Sequence, residues 1–293
     1  MRDDGFGYLT SDDGLRLAYR EFPATGSAAP DLPVVCLPGL TRNSRDFEPL
    51  ARQISQSAKR PRRVICLDYR GRGRSDWAGD KTSYNIVTEA RDVLKAMDHL
   101  DLERAIFIGT SRGGLIMHIL AQMALERMAA GILNDVGPEL GVEGLREIQA
   151  YLKEAEPLPD WKSATEGLKA LHGSAFPALS SGDWEEFAEA IFRETEKGIV
   201  PDCDPAIGQA FAAMNLDKAI PDLWPQFDLM AGLPLLLIRG VNSKLLTASI
   251  TQAMQARHTQ MAVILAKGQG HAPLLHLGEV QPALQSFLDT LPC

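Results

Sequence analysis

The sequence predicts an α/β protein built on a doubly wound, mostly parallel sheet, and two observations support that fold class. First, six short runs are apolar on both faces and bounded by turn residues, as expected of parallel strands covered by helices on either side. They are residues 34–37, 64–67, 105–108, 131–133, 235–238 and 261–265. Second, helical patterns lie between most of these runs, which is the order of a doubly wound sheet.

The remaining elements complete this pattern at both ends of the chain. Residues 7–10 and 15–20 flank a turn at Asp12-Asp13-Gly14, which predicts an N-terminal hairpin and brings the strand count to eight. Residues 85–100 repeat apolar side chains on one helical face, and residues 249–257 form a shorter helix of the same kind. The hairpin and helices fit the predicted sheet.

The 94 residues from 137 to 230 show no convincing strand and are predicted to be helical. Asp183, with Glu186 three residues later, predicts a capping box at the start of one helix. Asp204-Pro205 predicts the start of another.

This helical interval predicts a division of the chain into two parts. Residues 1–136 and 231–293 are expected to form the core domain, and residues 137–230 a helical lid over the sheet. A lid would supply apolar walls to a pocket. The alternative is that the aromatic side chains of the interval only fill the shared core of its own helices.

Composition excludes several classes of protein. The 38 acidic and 30 basic residues leave a net charge of −8, which repels phosphate backbones and argues against nucleic acid as a partner. No apolar stretch approaches the length of a membrane span, and the N-terminus lacks the features of a signal peptide. The four cysteines have no paired spacing, so free thiols and a cytoplasmic location are expected.

The strongest chemical signal is Gly109-Thr-Ser-Arg-Gly113, which directly follows a predicted strand and precedes an apolar helix. A turn this tight requires small residues two positions before and after its centre, and it exposes the central hydroxyl at the carboxyl edge of the sheet. Ser111 is therefore the candidate nucleophile.

A serine needs a base, and His271 is the best placed of the six histidines. It lies on a glycine-flanked loop after the last predicted strand, whereas His118 falls inside the helix after Ser111 and is expected to pack in the core. No two histidines have metal-ligand spacing on one helix face, so no metal site is expected.

An acyl-transfer site also needs donors for the oxyanion. The backbone N–H of Arg112, the residue after the nucleophile, is one candidate. The other is the N–H of Leu40, in the Pro38-Gly39-Leu40 turn that follows the strand at residues 34–37.

Four segments together resemble the α/β-hydrolase fold superfamily, and they occur in its order. They are Leu37-Pro-Gly-Leu40, Asp68-Tyr-Arg-Gly-Arg-Gly-Arg-Ser75, Gly109-Thr-Ser-Arg-Gly113 and Gly270-His271. The resemblance runs from about residue 8 to residue 290 and implies a lidded, cofactor-independent hydrolase with a Ser–His mechanism. It also implies a lid between the sixth and seventh strands, in agreement with residues 137–230.

The sequence departs from this family where an acid usually follows the seventh strand. Lys244 stands there, and an ammonium cannot accept a hydrogen bond from the histidine. The family also implies that the sixth strand lies next to the nucleophile strand, so Asp135, after the sixth strand, is a substitute acid. The alternatives are that Asp135 only caps the turn into the lid, that Ser111 and His271 act as a dyad, or that the site is inactive.

The function expected from these residues is hydrolysis of a carboxylic ester, or a related thioester or lactone, of a small and largely apolar substrate. Ser111, His271 and Asp135 would be catalytic, and Leu40 and Arg112 would supply the oxyanion N–H groups. The alternatives are a C–C bond hydrolase of a diketone-like substrate and a catalytically impaired ligand-binding protein, as Lys244 suggests. The expected partner is a small molecule, without nucleic acid or membrane, and a homodimer is compatible with the sequence.

Overall fold

The structure is a computed structural model that describes residues 5–26, 31–152, 156–217 and 222–291. Its strands are β1 (Phe6–Thr10), β2 (Arg16–Phe22), β3 (Val34–Leu37), β4 (Val64–Leu67), β5 (Ala105–Thr110), β6 (Met128–Asn134), β7 (Phe192–Thr195), β8 (Gly198–Pro201), β9 (Leu235–Gly240) and β10 (Ala262–Ala266). Its α-helices are α1 (Glu48–Ser55), α2 (Ile86–His99), α3 (Arg112–Ala124), α4 (Val142–Tyr151), α5 (Trp161–His172), α6 (Ser181–Ile191), α7 (Pro205–Ala212), α8 (Trp224–Leu229), α9 (Ala248–Arg257) and α10 (Val280–Thr290).

Eight of these strands form one sheet in the order β1-β2-β4-β3-β5-β6-β9-β10. The hairpin strands pair antiparallel, and every pair from β4 to β10 is parallel. The predicted fold class is confirmed. Residues 34–37 and 64–67 match β3 and β4 at both ends because these runs are buried along their whole length.

Helices cover the sheet on both faces, which explains why its central strands are apolar throughout. One core layer joins the sheet to α2, α3, α8 and α9, and the opposite layer joins it to α1 and α10. Cys36, Cys66 and Cys203 are buried free thiols. Within the described ranges, no helix combines the length and apolar character needed to cross a bilayer.

Residues 137–230, called the insertion below, lie between β6 and β9 and are not entirely helical. The prediction of no strand there is wrong, because β7 and β8 form a separate antiparallel hairpin. Helices α5 and α6 pack on each other around Trp184 and Phe187, and α4 contributes Leu145 and Ile148 to another small core. Helix α8 instead packs in the core layer that contains α3.

The N-cap of α6 lies one helical turn before Asp183, the predicted N-cap. Ser180 is the N-cap, and its side chain and that of Asp183 complete a reciprocal capping box. Asp183 is therefore the third residue of the helix, and Glu186 has no part in the cap. The other prediction is confirmed, since Asp204 caps α7 and Pro205 occupies its first turn.

The strand order brings three chain segments to one edge of the sheet. Strand β6 lies between β5 and β9, so the residues that follow all three strands meet at their carboxyl ends. In an open α/β sheet this edge is the usual location of a ligand site.

Candidate active site

Ser111 occupies a sharp turn between β5 and α3. Its backbone has φ 51° and ψ −112°, a sparsely populated conformation for a residue with a side chain. Such a conformation costs on the order of 1–3 kcal/mol and persists only where its surroundings hold it. Three backbone bonds do so here: Ser111 N–H donates to Asn134 O at 3.0 Å, and Ser111 O accepts from Gly114 N–H at 2.9 Å and from Leu115 N–H at 3.3 Å.

Three glycines make this turn sterically feasible. A Cβ on Gly109 would lie 2.6 Å from the Gly113 carbonyl carbon, and one on Gly113 would lie 2.0 Å from Leu37 O. A Cβ on Gly114 would lie 2.2 Å from a methyl of Val136. The predicted need for small residues around Ser111 thus has a direct cause: β5, α3 and β3 approach too closely for any side chain.

His271 lies within hydrogen-bond distance of Ser111. Its Nε2 is 2.8 Å from Ser111 Oγ, although 160 residues separate the two in the chain. The imidazole is largely buried, with 15 % of its side chain exposed. With its proton on Nδ1, the ring can accept the serine O–H on Nε2.

The other ring nitrogen of His271 meets Asp135. His271 Nδ1 is 2.8 Å from Asp135 Oδ2, and Asp135 is fully buried at the end of β6. The second carboxylate oxygen, Oδ1, accepts the backbone N–H of Gly240 at 2.8 Å. Asp135 has φ 55°, a left-handed conformation that aspartate tolerates better than most residues. The structure therefore brings all three residues of the predicted Ser–His–acid set into one hydrogen-bonded chain.

Asn134 holds the histidine loop against β6, a role that the sequence analysis did not assign. Its side-chain N–H groups donate to Pro273 O and Thr110 Oγ1, each at 3.0 Å. Because Pro273 lies two residues after His271, this bond ties the loop to the strand that carries Asp135. Its position next to Asp135 was the available signal, but the partner lies 139 residues away.

Lys244 lies at the surface, where it pairs with the insertion. Its ammonium donates to Glu143 and Glu147 of α4, both at 2.7 Å, and 48 % of its side chain is exposed. These hydrogen bonds raise the pKa of Lys244. Its position agrees with the expectation that Lys244 does not orient His271.

The two predicted oxyanion donors, the N–H groups of Leu40 and Arg112, belong to residues that line one cavity with Ser111 and His271. Within the described part of the chain, neither N–H donates to a protein acceptor. Arg112 is the first residue of α3, so its N–H is one of the helix groups without an intrahelical acceptor. Both donors are thus available to an anion.

A buried Arg–Glu–Arg chain links the two residues that carry these donors. Arg72 Nε donates to Leu40 O at 2.9 Å, and Arg72 Nη1 donates to Glu89 Oε1 at 2.8 Å. Arg112 Nε donates to the other oxygen of Glu89 at 2.5 Å. Burial opposes ionisation of Glu89, but the charges of Arg72 and Arg112 outweigh it and lower the pKa of Glu89.

Several arginines of the core are buried although they are charged. Arg62 and Arg72 are at most 1 % exposed, and Arg112 is 14 % exposed in its side chain. Most of their acceptors are distant in sequence, so no local pattern indicates them.

The cavity beside Ser111 has a volume of about 90 Å³ and mostly apolar walls. The insertion contributes Leu140, Leu145, Ile148, Tyr151, Leu152 and Phe211. The core contributes Leu115, Val136 and Leu245, together with the polar residues already described. This composition suits a short, largely apolar molecule with a few polar contacts.

Comparison with known proteins identifies the family. A model of the α/β hydrolase fold matches residues 33–157. A 3-hydroxybutyrate-oligomer hydrolase from Cupriavidus necator is 32 % identical over 282 residues, and the alignment covers 92 % of each chain. The chain belongs to the α/β-hydrolase fold superfamily.

Other members of the superfamily agree with this assignment. A 2-(acetamidomethylene)succinate hydrolase from Mesorhizobium japonicum is 25 % identical, with 86 % of each chain aligned. The crystal structure of an α/β hydrolase from Novosphingobium aromaticivorans superposes with a TM-score of 0.88, at 36 % identity and 97 % coverage of both chains. Both curated relatives described here are named as hydrolases, and this α/β-hydrolase is accordingly a hydrolytic enzyme.

Proposed function

We propose that this enzyme hydrolyses carboxylic esters through an acyl-enzyme on Ser111. The observation that carries the proposal is the chain of two 2.8 Å contacts from Ser111 Oγ to His271 and from His271 to Asp135. A hydroxyl in contact with an imidazole, which is itself oriented by a buried carboxylate, is the arrangement that activates serine for nucleophilic attack.

In this proposal, Ser111 Oγ attacks the acyl carbon while His271 Nε2 takes its proton. The carbonyl oxygen becomes negative and is stabilised by the N–H groups of Leu40 and Arg112. Asp135 stabilises the imidazolium through Nδ1. The C–O bond to the alcohol then breaks as Nε2 returns the proton to the leaving oxygen. Water then attacks the acyl-enzyme while His271 Nε2 takes its proton, and the ester bond to Ser111 breaks as Nε2 returns the proton to Ser111 Oγ. The acid is released, and no cofactor or metal takes part.

The substrate in this proposal is a small molecule that binds under the insertion, which serves as a lid. The apolar side chains that α4 and α7 contribute to the cavity support this role. Because the relative from Cupriavidus necator is named for 3-hydroxybutyrate oligomers, linear oligomers of this hydroxy acid are the first esters to test.

The alternative of a binding protein without chemistry rested on Lys244, and Asp135 weakens it. A carboxylate in contact with His271 supplies the acid that the position of Lys244 lacks. We therefore favour an active enzyme.

The test compares the wild type with Ser111→Ala on p-nitrophenyl butyrate and on a 3-hydroxybutyrate dimer. We expect kcat to fall by at least about 1,000-fold, because the residual rate comes from binding and the oxyanion donors alone. A fluorophosphonate should label Ser111 in the wild type but not in the variant. Undiminished turnover by the variant, or no labelling, contradicts the proposal. Turnover of a vinylogous diketo acid in preference to esters would instead support C–C bond hydrolysis.

A further inference from the structure

A cationic side chain lines the cavity next to one oxyanion donor. Arg42 N–H donates to Gly39 O at 3.3 Å, which closes the turn that contains Leu40. The stem of Arg42 also lies against Gly39, since a Cβ on that glycine would be 3.1 Å from Arg42 Cγ. The Arg42 side chain therefore starts from the same turn as the Leu40 N–H and lines the same cavity as Ser111.

The guanidinium of Arg42 is oriented by two contacts that leave most of its donors unused. Nη1 donates to Asp46 Oδ1 at 2.7 Å, and the ring of Phe187 stacks on the guanidinium at 4.3 Å. An arginine side chain has five N–H donors. In the described ranges, Asp46 is the one acceptor of Arg42's side-chain donors, so the guanidinium retains donors for a second carboxylate.

The remaining charges of the cavity favour an anion. Arg42, Arg112 and His271 line it, and no Asp or Glu of the described chain does. In the described ranges, Arg112 donates to Glu89 and to Tyr84 O, whereas the Arg42 side chain donates to Asp46 alone, so Arg42 is the less engaged cation of this lining. His172 contacts the cavity residue Tyr151, and burial together with the charges of Arg42 and His271 lowers the pKa of His172 to about 4. His172 is thus neutral near pH 7 and adds no charge.

We propose that Arg42 binds a free carboxylate of the substrate. The substrate class is then a short-chain ester that carries a carboxylate at one end, such as a hydroxy acid joined through an ester bond to a second hydroxy acid. The apolar walls would contact the short hydrocarbon chain, and the volume of about 90 Å³ limits its length. This inference rests on the proposed ester hydrolysis at Ser111.

The test separates recognition from turnover by measuring binding to the Ser111→Ala enzyme. Isothermal titration calorimetry compares the linear 3-hydroxybutyrate dimer, which ends in a carboxylate, with its primary amide, which has nearly the same shape. We expect the acid to bind about 10- to 100-fold more tightly, the range for hydrogen bonds to a charged group. Adding Arg42→Gln should remove this preference and leave amide binding within about threefold.

Arg52→Gln is the matched control for the loss of one positive charge. Arg52 is 55 % exposed, pairs with Glu48 on α1 and does not line the cavity. The control should retain the preference for the acid, and Arg42→Lys should retain part of it. Equal binding of acid and amide by the parent enzyme, or an equal effect of Arg42→Gln on both, would overturn the inference.

Kinetics of the enzyme with Ser111 intact then separates the two claims, ester hydrolysis at Ser111 and carboxylate binding at Arg42. If Arg42 acts as proposed, Arg42→Gln raises KM for the acid dimer by a larger factor than it lowers kcat/KM for p-nitrophenyl butyrate, which carries no carboxylate. Arg42-dependent binding of the acid without turnover of any ester would refute the hydrolytic function and support the carboxylate site. Turnover of esters without a preference for the acid over its amide would support the hydrolytic function and refute the carboxylate site.

Discussion

The backbone N–H of Gly240 donates a hydrogen bond to Asp135 Oδ1, which joins the end of β9 to the carboxylate at the end of β6. The other oxygen of Asp135 faces His271. The neighbouring strand therefore supplies a backbone donor that fixes the carboxylate, while the side chain of Lys244, four residues beyond Gly240, lies at the surface. A backbone group of β9 thus orients Asp135, the carboxylate that follows β6.

Replacing Asp135 with asparagine should lower kcat on p-nitrophenyl butyrate by about 1,000- to 10,000-fold. The amide has one acceptor oxygen, so it cannot satisfy both Gly240 N–H and His271 Nδ1–H. If that oxygen stays on Gly240, the amide N–H₂ faces His271 and favours the wrong tautomer. Steady-state kinetics with circular dichroism as a check on folding measures the effect. A loss below tenfold would mean that another group orients His271.

Replacing Lys244 with alanine should leave kcat and KM within about twofold of the wild type, because exposed ion pairs contribute little. Its two bonds go to Glu143 and Glu147 on α4 and not to His271. The same ester assay checks this result, with Lys244→Arg as the charge-preserving comparison. A large loss of kcat in Lys244→Ala alone would show that Lys244 influences His271.

Replacing Arg72 with lysine should lower kcat by about 10- to 100-fold with little change in KM. A lysine cannot reproduce the planar fork that reaches both Leu40 O and Glu89, so the Leu40 turn would lose its fixed orientation. Since oxyanion donors act mainly in the transition state, we expect Arg72→Lys to lower kcat more than it changes KM.

Arg70→Lys is the matched control for this variant. Arg70 is equally buried in the same turn, but its bonds go to Asp92 and Asp13. Lysine keeps the positive charge but cannot form all the hydrogen bonds of the buried guanidinium, so the free energy of unfolding should fall in both variants, which urea denaturation measures. Equal kcat values for the two variants would remove Arg72 from any role in positioning the oxyanion turn.

Stability should fall on acidification because of His118, which is fully buried in α3. Burial lowers its pKa from 6.5 to about 4. Between these values the unfolded chain binds a proton that the folded chain does not, so the free energy of unfolding decreases as pH falls through this range. The full effect is about 3 kcal/mol.

Urea denaturation of the wild type and His118→Met at several pH values from 7 to 4.5 isolates this contribution. Titration of the other groups, including His172, is common to both proteins and cancels in the difference. The variant should gain stability relative to the wild type as pH decreases. A difference that is independent of pH would show that His118 keeps an ordinary pKa in the folded enzyme.

The elements that the sequence predicts well are those determined by burial of a continuous segment. Strands β3 and β4 are apolar on both faces, and the ends of such a strand are the points where the apolar run stops. The hairpin β7–β8 was missed because its four-residue strands are partly exposed and do not alternate clearly. The strand conformation of β7 and β8 depends on their pairing with each other, and the sequence of one short segment does not show that pairing.

The candidate site divides in a similar way. Ser111 is recognisable because its turn imposes glycines at fixed positions, and His271 because a glycine-rich loop follows the last strand. Asp135 was predicted only through the strand order that the family resemblance implies, and the structure has β6 beside β5. Arg72 carried no local signal, since its acceptors on Leu40 and Glu89 lie 32 and 17 residues away.

The close approach of β3, β5 and α3 also determines where new specificity can arise. A methyl group on Gly113 would overlap Leu37 O at 2.0 Å, so any library that randomises this turn will mostly yield unfolded or inactive clones. Leu145, Ile148 and Phe211, which α4 and α7 contribute to the cavity wall, border its volume on one side, so a change in their size alters the cavity directly. Directed evolution for longer or bulkier acids should therefore diversify Leu145, Ile148 and Phe211 and leave the glycines untouched.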